Sequence, residues 1–213
     1  YLQELTSYNK VLNQRNKLLK DIGFQPGLTE TLDVWDMQLV SYGKKIISLR
    51  RQFMEELGEI IRQIHSNLTG KKEEIRLLYE PDVEEKVFEE KLQSAREKDL
   101  RFRVTSVGPH RDDFCVQTNG IDIRKYGSQG QQRTAALSLK MSEIYLVEKV
   151  TKDHPVLLLD DVLSELDSSR QNYLLQSIHN IQTVITCTGL DELIENNFSI
   201  DRVFRVTEGK IDF

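Results

Sequence analysis

Cysteine and long apolar runs are scarce in this sequence, and each scarcity excludes a class of protein. Of the 213 residues only Cys115 and Cys187 are cysteines, and neither has a Cys or His neighbour at ligand spacing. We therefore expect neither a disulfide scaffold nor a zinc site, and a reducing, cytoplasmic compartment. Apolar runs are short, as in Val156–Leu159, whereas a membrane helix needs about 20 apolar residues. The sequence predicts no membrane span and no membrane partner.

The sequence also has no excess of basic over acidic residues. The first 107 residues carry 18 basic and 18 acidic side chains, and the remaining 106 carry 11 and 16, which gives a net charge of -5. The sequence therefore lacks the strongly basic balance that advertises many nucleic-acid-binding domains. Any nucleic acid would have to bind to local basic patches or to a surface that forms on assembly.

A loop that cradles phosphates is the third absence. Such a loop consists of Gly-x-x-x-x-Gly-Lys followed by Ser or Thr. The Gly-Lys pairs begin at Gly43, Gly70 and Gly209, and none has a Gly five residues earlier or a Ser or Thr after the Lys. The chain also opens at Tyr1, without Met, inside an expected helix. We therefore expect a fragment of a longer protein.

Helical periodicity dominates the first half of the chain. From the expected N-cap Thr29, apolar residues recur every three or four positions, which predicts one long helix ending near Asn67–Gly70. A shorter helix at Glu4–Lys20 is expected to pack antiparallel against it, and a third helix follows Pro81. Residues 1–102 are thus predicted to form a helical arm. The apolar stripe is either a seam of core packing or a coiled coil with a partner; it consists of Trp35, Leu39, Tyr42, Ile46, Leu49, Phe53, Leu57, Ile60 and Ile64.

The pattern changes after residue 102 to short β-branched and apolar runs. Strands are expected at Arg103–Val107, Phe114–Thr118, Val156–Leu159 and Thr183–Cys187, helices at about Gln131–Val150 and Asp167–Ile178, and a closing hairpin at 202–213. The strand-helix-strand order at 156–187 predicts a parallel sheet, whose strand at 156–159 is covered on both faces. The predicted fold class is α/β, with residues 103–213 forming part of a head beside the helical arm.

Two carboxylates, Asp160 and Asp161, directly follow the apolar run Val156–Leu159. The carboxyl ends of buried parallel strands are where α/β sheets place their ligands, and an Asp there commonly holds Mg²⁺ beside a nucleotide. Asp160 is therefore the predicted magnesium residue. Asp161 would orient or deprotonate the water that attacks the terminal phosphate. The structural alternative is that strands often end in Asp because Asp caps the next turn.

A polar turn at Tyr126–Arg133 opens directly into the next predicted helix. The backbone amides at the helix start, the Ser128 hydroxyl and the Arg133 guanidinium could together receive phosphate oxygens. The alternative is a capped helix start, in which Ser128 is the N-cap and Gln131 completes a capping box. The residue types alone leave both possibilities open.

Together these motifs resemble those of ATP-binding-cassette ATPases. Ser128–Arg133 is similar to the signature motif, Val156–Asp161 to the Walker B motif, and Ser164–Asp167 to the loop that follows it. With Gly108–Asp113 and Tyr8–Leu19, and with the helix that carries Trp35, the pattern resembles the RecF family in the SMC-like branch of that class. The resemblance covers most of the chain.

The resemblance implies a site that is complete only in a larger assembly. ATP and Mg²⁺ are expected to bind only with a Walker A loop from a missing N-terminal segment, so this chain alone would be inactive. The implied assembly is a homodimer with ATP between the signature of one copy and the Walker motifs of the other. Hydrolysis is expected to be slow, because Asp161 stands where the class usually has Glu. The implied ATP-contacting residues are Ser128, Gln129, Gly130, Gln131, Gln132, Arg133, Ser164, Asp167 and Thr186, with Thr188 as an alternative to Thr186.

The implied function is ATP-gated DNA binding in repair, recombination, replication and the SOS response. Such a factor helps load recombinase at gapped or duplex DNA, together with other recombination mediator proteins. A structural SMC-type chromosome ATPase is the first alternative, but it would need a far longer coiled coil than residues 1–102 provide. A transporter nucleotide-binding subunit is the second, and the long arm and the motif Gly108–Asp113 argue against it.

Local basic residues are the candidates for DNA contact, and they are Arg111, Lys71, Lys72, Arg50 and Arg51. Arg111 could instead pair with Asp112 or Asp113 and hold the head together. The basic residues of the long helix could instead belong to a solvated face bridged to nearby Glu residues. The histidines at 65, 154 and 179 are expected to be structural.

Overall fold

The computed structural model describes residues 1–178, 180–187 and 200–212. Its first part is a pair of helices, α1 (Leu2–Ile22) and α2 (Leu32–Leu68), joined by a 3-10 turn at Pro26–Thr31. They pack antiparallel, since Glu4 pairs with Lys45 and Arg15 with Asp36. The 37 residues of α2 span about 55 Å. Both predicted helices are confirmed, but the N-cap of α2 is Thr31 and not Thr29, which lies in the 3-10 turn. Helix α2 reaches from the arm into the second part of the molecule.

Two large clusters of buried side chains share helix α2. The first joins α1 and the N-terminal half of α2 to the segment after Pro81, and contains Tyr8, Val11, Leu39, Val40, Ile46, Ile47, Val83, Phe88 and Leu92. The second joins the end of α2 to the second part of the chain, and contains Ile64, Leu68, Leu137, Met141, Leu163, Leu174, Leu175 and Ile178. Between them, the predicted stripe is interrupted because Leu49 and Phe53 are exposed.

Strand β1 (Ile75–Glu80) was missed by the sequence analysis. It pairs antiparallel with β2 (Asp113–Thr118), which in turn pairs with the short β3 (Ile121–Asp122). The strand expected at 114–118 is confirmed as β2. Since β1 lies inside the predicted arm and β2 inside the predicted head, this sheet connects the two, and the division at residue 102 stays a prediction.

The segment between β1 and β2 corrects two predictions. Two short helices, α3 (Phe88–Ser94) and α4 (Arg96–Phe102), replace the helix expected directly after Pro81. At the start of this segment the Asp82 N–H donates to Asp112 and the Asp82 carboxylate accepts from the Gly108 N–H, both at 3.0 Å, and a short 3-10 turn at Glu85–Val87 then leads into α3.

The strand expected at Arg103–Val107 was also wrong. The N–H of Thr105 donates to the Asn16 side chain at 2.8 Å, and that of Ser106 to Asp99 at 2.9 Å. Because these amides bond to side chains, they do not form the ladder of a strand.

The second part of the chain continues through α5 (Ile123–Tyr126), α6 (Gln129–Thr151), β4 (Leu157–Asp160), α7 (Ser168–Ser177) and β5 (Thr183–Thr186). The predicted parallel sheet is confirmed, with Leu157 opposite Thr183. The predicted hairpin is confirmed as β6 (Arg205–Thr207) and β7 (Lys210–Asp212). No helix of the described residues is both long and apolar enough to cross a membrane.

The expectation that the strand at 156–159 is covered on both faces was wrong for the described residues. Its inner face packs through Leu157 and Leu159 on the cluster formed by α6 and α7. The outer face is open, since Leu158 is 73% exposed and Val184 on β5 is 54% exposed. Among residues 103–178, 180–187 and 200–212, the buried helical side chains pack against the inner face alone, which explains the difference.

Candidate functional site

The signature-like turn caps helix α6. The Ser128 hydroxyl accepts from the Gln131 N–H at 3.2 Å, and the Gln131 side-chain oxygen accepts from the Ser128 N–H at 3.0 Å. The capping box that the sequence left open is therefore present. It does not exclude an anion, because a hydroxyl that accepts one bond still has its own proton to donate. The first-turn amides of Gln129 and Gly130 add the donors that every helix start offers.

The six predicted signature residues lie together on the first turns of α6. Gln131 is half-buried, whereas Ser128, Gln129, Gly130, Gln132 and Arg133 are exposed. The Gln132 amide donates to the Ile123 carbonyl at 2.9 Å and so ties the turn to helix α5. The resulting surface is a helix N-terminus with an Arg and a Ser on it, which suits a phosphate from outside this chain.

The carboxylates of the Walker B-like segment lie at the carboxyl end of β4. Asp160 is the last residue of the strand and pairs in register with Thr186 of β5. The Thr186 hydroxyl donates to an Asp160 carboxylate oxygen at 2.5 Å. The structure therefore brings Thr186 to Asp160, and its predicted contact with phosphate stays a prediction.

Asp161 follows in a left-handed backbone conformation with φ of 51°. Its N–H lies 3.2 Å from the Thr186 carbonyl and 3.1 Å from the Thr186 hydroxyl oxygen, which hold this unusual conformation. The Asp161 carboxylate is exposed. Asp161 directly follows the carboxyl end of β4, the edge at which α/β proteins bind their ligands.

The loop after the carboxylates is held by its own polar residues. The Ser164 hydroxyl donates to the Asp161 carbonyl at 2.9 Å. Asp167 caps helix α7 by accepting from the Arg170 N–H at 3.0 Å, and it also pairs with the Arg170 side chain at 2.6 Å. Both residues thus have structural partners here, and their contact with ATP stays a prediction. Thr188 and His179 lie outside the described residues.

Asp160 suits a Mg²⁺ site that water and phosphate complete, and not a site made of protein ligands alone. Among the described residues no three acidic, His or Cys side chains converge as a ready metal site. Mg²⁺ commonly binds one or two carboxylates and completes its shell with water and substrate phosphates. A single exposed carboxylate fixed by Thr186 fits that pattern.

The predicted DNA-contacting residues fall in different environments. The Arg111 side chain is 51% exposed, and its guanidinium lies 3.9 Å from Asp82. It forms no ion pair with Asp112 or Asp113, which pair with Arg50 and Arg124. Lys71 and Lys72 are exposed in the turn after α2. Arg51 pairs with Glu84 at 2.6 Å and lies over the Tyr79 ring.

Arg50 has the least exposed side chain of the three candidate arginines. It donates to the Pro109 carbonyl at 2.5 Å and to Asp112 at 2.7 Å, and its side chain is only 26% exposed. The sequence did not predict this intramolecular role. DNA contact by Arg50 stays a prediction.

Asp112 is the hub that the sequence analysis missed. Besides Arg50, its carboxylate accepts from the Tyr79 hydroxyl and the Asp82 N–H. Burial, reinforced by Asp112, raises the pKa of Tyr79, so its phenol remains a donor. These partners lie on α2, β1 and the following segment, so Asp112 joins the predicted arm to the motif Gly108–Asp113. The only sequence signal for it was the motif itself.

The same motif contacts α1. The Tyr8 hydroxyl lies 2.7 Å from His110 Nδ1. Gly108 has φ of 136°, and a Cβ there would lie 2.6 Å from the Tyr8 hydroxyl. The position therefore requires glycine for its conformation and for its space.

His65 is structural, as the sequence predicted. It is fully buried on α2, with Nδ1 2.9 Å from the Ser138 hydroxyl of α6 and Nε2 3.3 Å from Glu73. Burial lowers the pKa of His65, although Glu73 opposes the shift. His154 lies at the turn after α6, 2.9 Å from Glu148. Glu73 and Ser138 were not predicted, because neither belongs to a recognisable motif.

Comparison with known proteins gives relatives along the whole chain. The solved structure of the recombination mediator protein RecF-ATPrS in the RecFOR pathway is 36% identical with a TM-score of 0.85, and the match covers 100% of this chain and 58% of that one. The RecF-ATP structure has a TM-score of 0.84, 37% identity and the same coverage. No family profile matches the chain.

Curated relatives agree with these structures. The DNA replication and repair protein RecF of Lachnospira eligens is 60% identical over 213 residues, which cover 99% of this chain. That of Agathobacter rectalis is 58% identical over 212 residues, which cover 100% of this chain. The chain spans 59% of the length of both relatives.

The parallel sheet, the helical arm and these structural matches define part of an SMC-like ATPase head of the ATP-binding-cassette class, with its arm. Within that class, the chain belongs to the RecF family of DNA replication and repair proteins.

Proposed function

We propose that the protein containing this chain is an ATP-gated, DNA-binding mediator of recombination. Two copies would hold ATP between the signature turn of one and the Walker motifs of the other, and the dimer would help load recombinase at gapped DNA with other mediator proteins in the cytoplasm. Support comes from relatives described as a recombination mediator with ATP in the RecFOR pathway. The observation that carries the proposal is the exposed, capped start of α6 in the same chain as the carboxylates that end β4.

The side chains of the signature turn and of the Walker B-like segment have different roles in this assembly. The Ser128 hydroxyl and the Arg133 guanidinium donate hydrogen bonds to the phosphate held by the second copy. Asp160 provides a carboxylate for Mg²⁺, which when bound neutralises phosphate charge. Asp161 orients the attacking water and accepts its proton. The remaining signature residues, with Ser164, Asp167 and Thr186, complete the surroundings of the nucleotide.

DNA contact is assigned to the five candidate basic residues, and their exposure sets their order. Arg111, Lys71 and Lys72 are the main candidates, Arg51 follows, and Arg50 comes last because of its internal bonds. The net charge of -5 gives a single chain weak long-range attraction for DNA. A dimer doubles the number of local patches on one surface, which supports binding that depends on ATP.

The test is sedimentation of the full-length gene product with ATP and Mg²⁺. We expect the parent protein to be dimeric with ATP and monomeric without it, and the Arg133→Ala variant to stay monomeric. Arg124→Ala is the matched control, since Arg124 is an exposed cation near the same turn that pairs with Asp113 at 3.0 Å. A parent that is monomeric with saturating ATP, or an Arg133→Ala variant that binds ATP and dimerises like the control, contradicts the proposal.

A further inference from the structure

We propose that Glu73 is a positioning residue for the signature turn, which it connects to the buried His65 of helix α2. The inference rests on the proposed function, because the turn's task there is to contact ATP across a dimer. It adds a residue outside the motifs to that site. It also gives a physical route from the arm to the nucleotide.

The first link joins Glu73 to the turn through Gln131. The Gln131 amide nitrogen donates to Glu73 Oε1 at 3.3 Å, while its side-chain oxygen accepts from the Ser128 N–H. One side chain therefore holds the N-cap and Glu73 at the same time. If Glu73 were lost, only the capping box itself would keep Gln131 in place.

The second link joins Glu73 to His65, whose Nε2 is 3.3 Å from Glu73 Oε2. A buried imidazole with a lowered pKa is neutral at pH 7 and has one N–H. Since a carboxylate only accepts, that proton belongs on Nε2. Nδ1 lies 2.9 Å from the Ser138 hydroxyl oxygen, whose own proton is shared with the Thr134 carbonyl 2.7 Å away. Both oxygens of Glu73 are thereby used, one by α2 and one by the start of α6.

The backbone around Glu73 is itself fixed. On one side, Gly70 and Lys71 have positive φ values of 60° and 63°, and the Lys71 N–H donates to the Ser66 carbonyl at 2.7 Å. On the other side, the Glu74 N–H donates to the Asn119 side chain at 2.9 Å, and the Glu74 carbonyl accepts from the Asn119 N–H at 2.9 Å. A carboxylate held from both sides can pass a displacement of the end of α2 to Ser128.

Glu74 offers a matched control on the adjacent residue. Its carboxylate is exposed and pairs at 2.9 Å with Arg76, which lies two residues further on in β1. Glu73→Ala and Glu74→Ala therefore remove the same charge from neighbouring positions, but only the first breaks the link from His65 to Gln131. A general electrostatic effect would appear in both variants.

The first experiment measures ATP-dependent dimerisation of the full-length gene product by sedimentation. We expect Glu73→Ala to raise the dissociation constant of the ATP-bound dimer about tenfold, an effect within the range found for neighbouring residues that interact. Glu74→Ala should leave this constant unchanged. Thermal unfolding without ATP checks that both variants remain folded. A parent that does not dimerise with ATP overturns the proposed function, whereas a dimerising parent with equal behaviour of the two variants overturns this inference.

An exchange of the two side chains separates positioning from folding. Gln131→Glu alone keeps a capping box but places two carboxylates against each other, so the ATP-bound dimer should weaken. Combining it with Glu73→Gln restores the bond with donor and acceptor reversed, and the new amide oxygen can still accept from His65. We expect the double variant to recover most of the parent dimer. A double variant as weak as Gln131→Glu overturns the role of the pair.

Discussion

The Thr186 hydroxyl donates to Asp160 across the two parallel strands, with 2.5 Å between the oxygens. The same hydroxyl oxygen lies 3.1 Å from the Asp161 N–H. One side chain thus orients the proposed magnesium ligand and the backbone of the proposed water-orienting residue. Hydrogen bonds to a metal ligand fix its orientation and change its affinity for the metal.

Removal of this hydroxyl should weaken the response to Mg²⁺. We expect Thr186→Val to raise the Mg²⁺ concentration needed for ATP-dependent dimerisation by about tenfold or more, and Thr186→Ser to stay near the parent. Thr183→Val is the control, because Thr183 lies on the same strand and its hydroxyl donates to the Ile181 carbonyl. An unchanged Mg²⁺ titration of Thr186→Val would show that Asp160 needs no such support.

Asp161→Asn isolates the chemistry of one carboxylate. Asn tolerates the left-handed conformation at φ of 51° better than most residues, so the backbone should be retained. We expect ATP hydrolysis by the full-length gene product to fall by roughly 10²-fold or more, while ATP-dependent dimerisation persists. Turnover within about twofold of the parent would assign the base to another residue, given the size of a typical general-base effect.

Asp112→Ala should destabilise the fold. The Asp112 side chain is only 3% exposed, and its removal leaves the Tyr79 hydroxyl without this acceptor and Arg50 without its carboxylate partner. The expected loss is about 2 to 3 kcal/mol, less than for a fully buried pair because Arg50 is partly exposed. Urea unfolding measures it, with Asp113→Ala as the control, since Asp113 is exposed and pairs with Arg124 on the surface. Equal stability of the two variants would contradict the role of Asp112 as a hub.

Acidification should destabilise the fold through His65. The pKa of His65 is lowered by burial, and the groups facing the ring are Ser138, Glu73 and, at longer range, Arg170. The unfolded chain then binds more protons, so this contribution is present above the ordinary pKa of about 6.5 and is lost as the pH falls toward the lowered value. Unfolding free energies at pH 7 and 5 should differ less in His65→Gln than in the parent. An equal difference in the two proteins would contradict the contribution of His65.

The sequence predicted those elements whose signal is local. The stripe of α2 and the parallel strands follow from periodicity, and the short motif at Ser128 offered the capping box as one of two possibilities. Strand β1 was missed because its partner β2 is far along the chain, and Arg103–Val107 was mistaken for a strand because its amides are bound by Asn16 and Asp99. Likewise, nothing local relates Arg50 to Asp112 or Glu73 to Gln131.

The most direct test of ATP-gated DNA binding is a fluorescence titration of the full-length gene product on gapped, single-stranded and duplex DNA, with and without ATP, across a salt series. We expect tight binding only with ATP. A plot of log affinity against log salt concentration should have a slope of about -0.9 for each duplex phosphate that the protein neutralises. Lys71→Ala combined with Lys72→Ala should make that slope shallower by about one for each lost contact. Equal affinity with and without ATP would contradict the proposed gating.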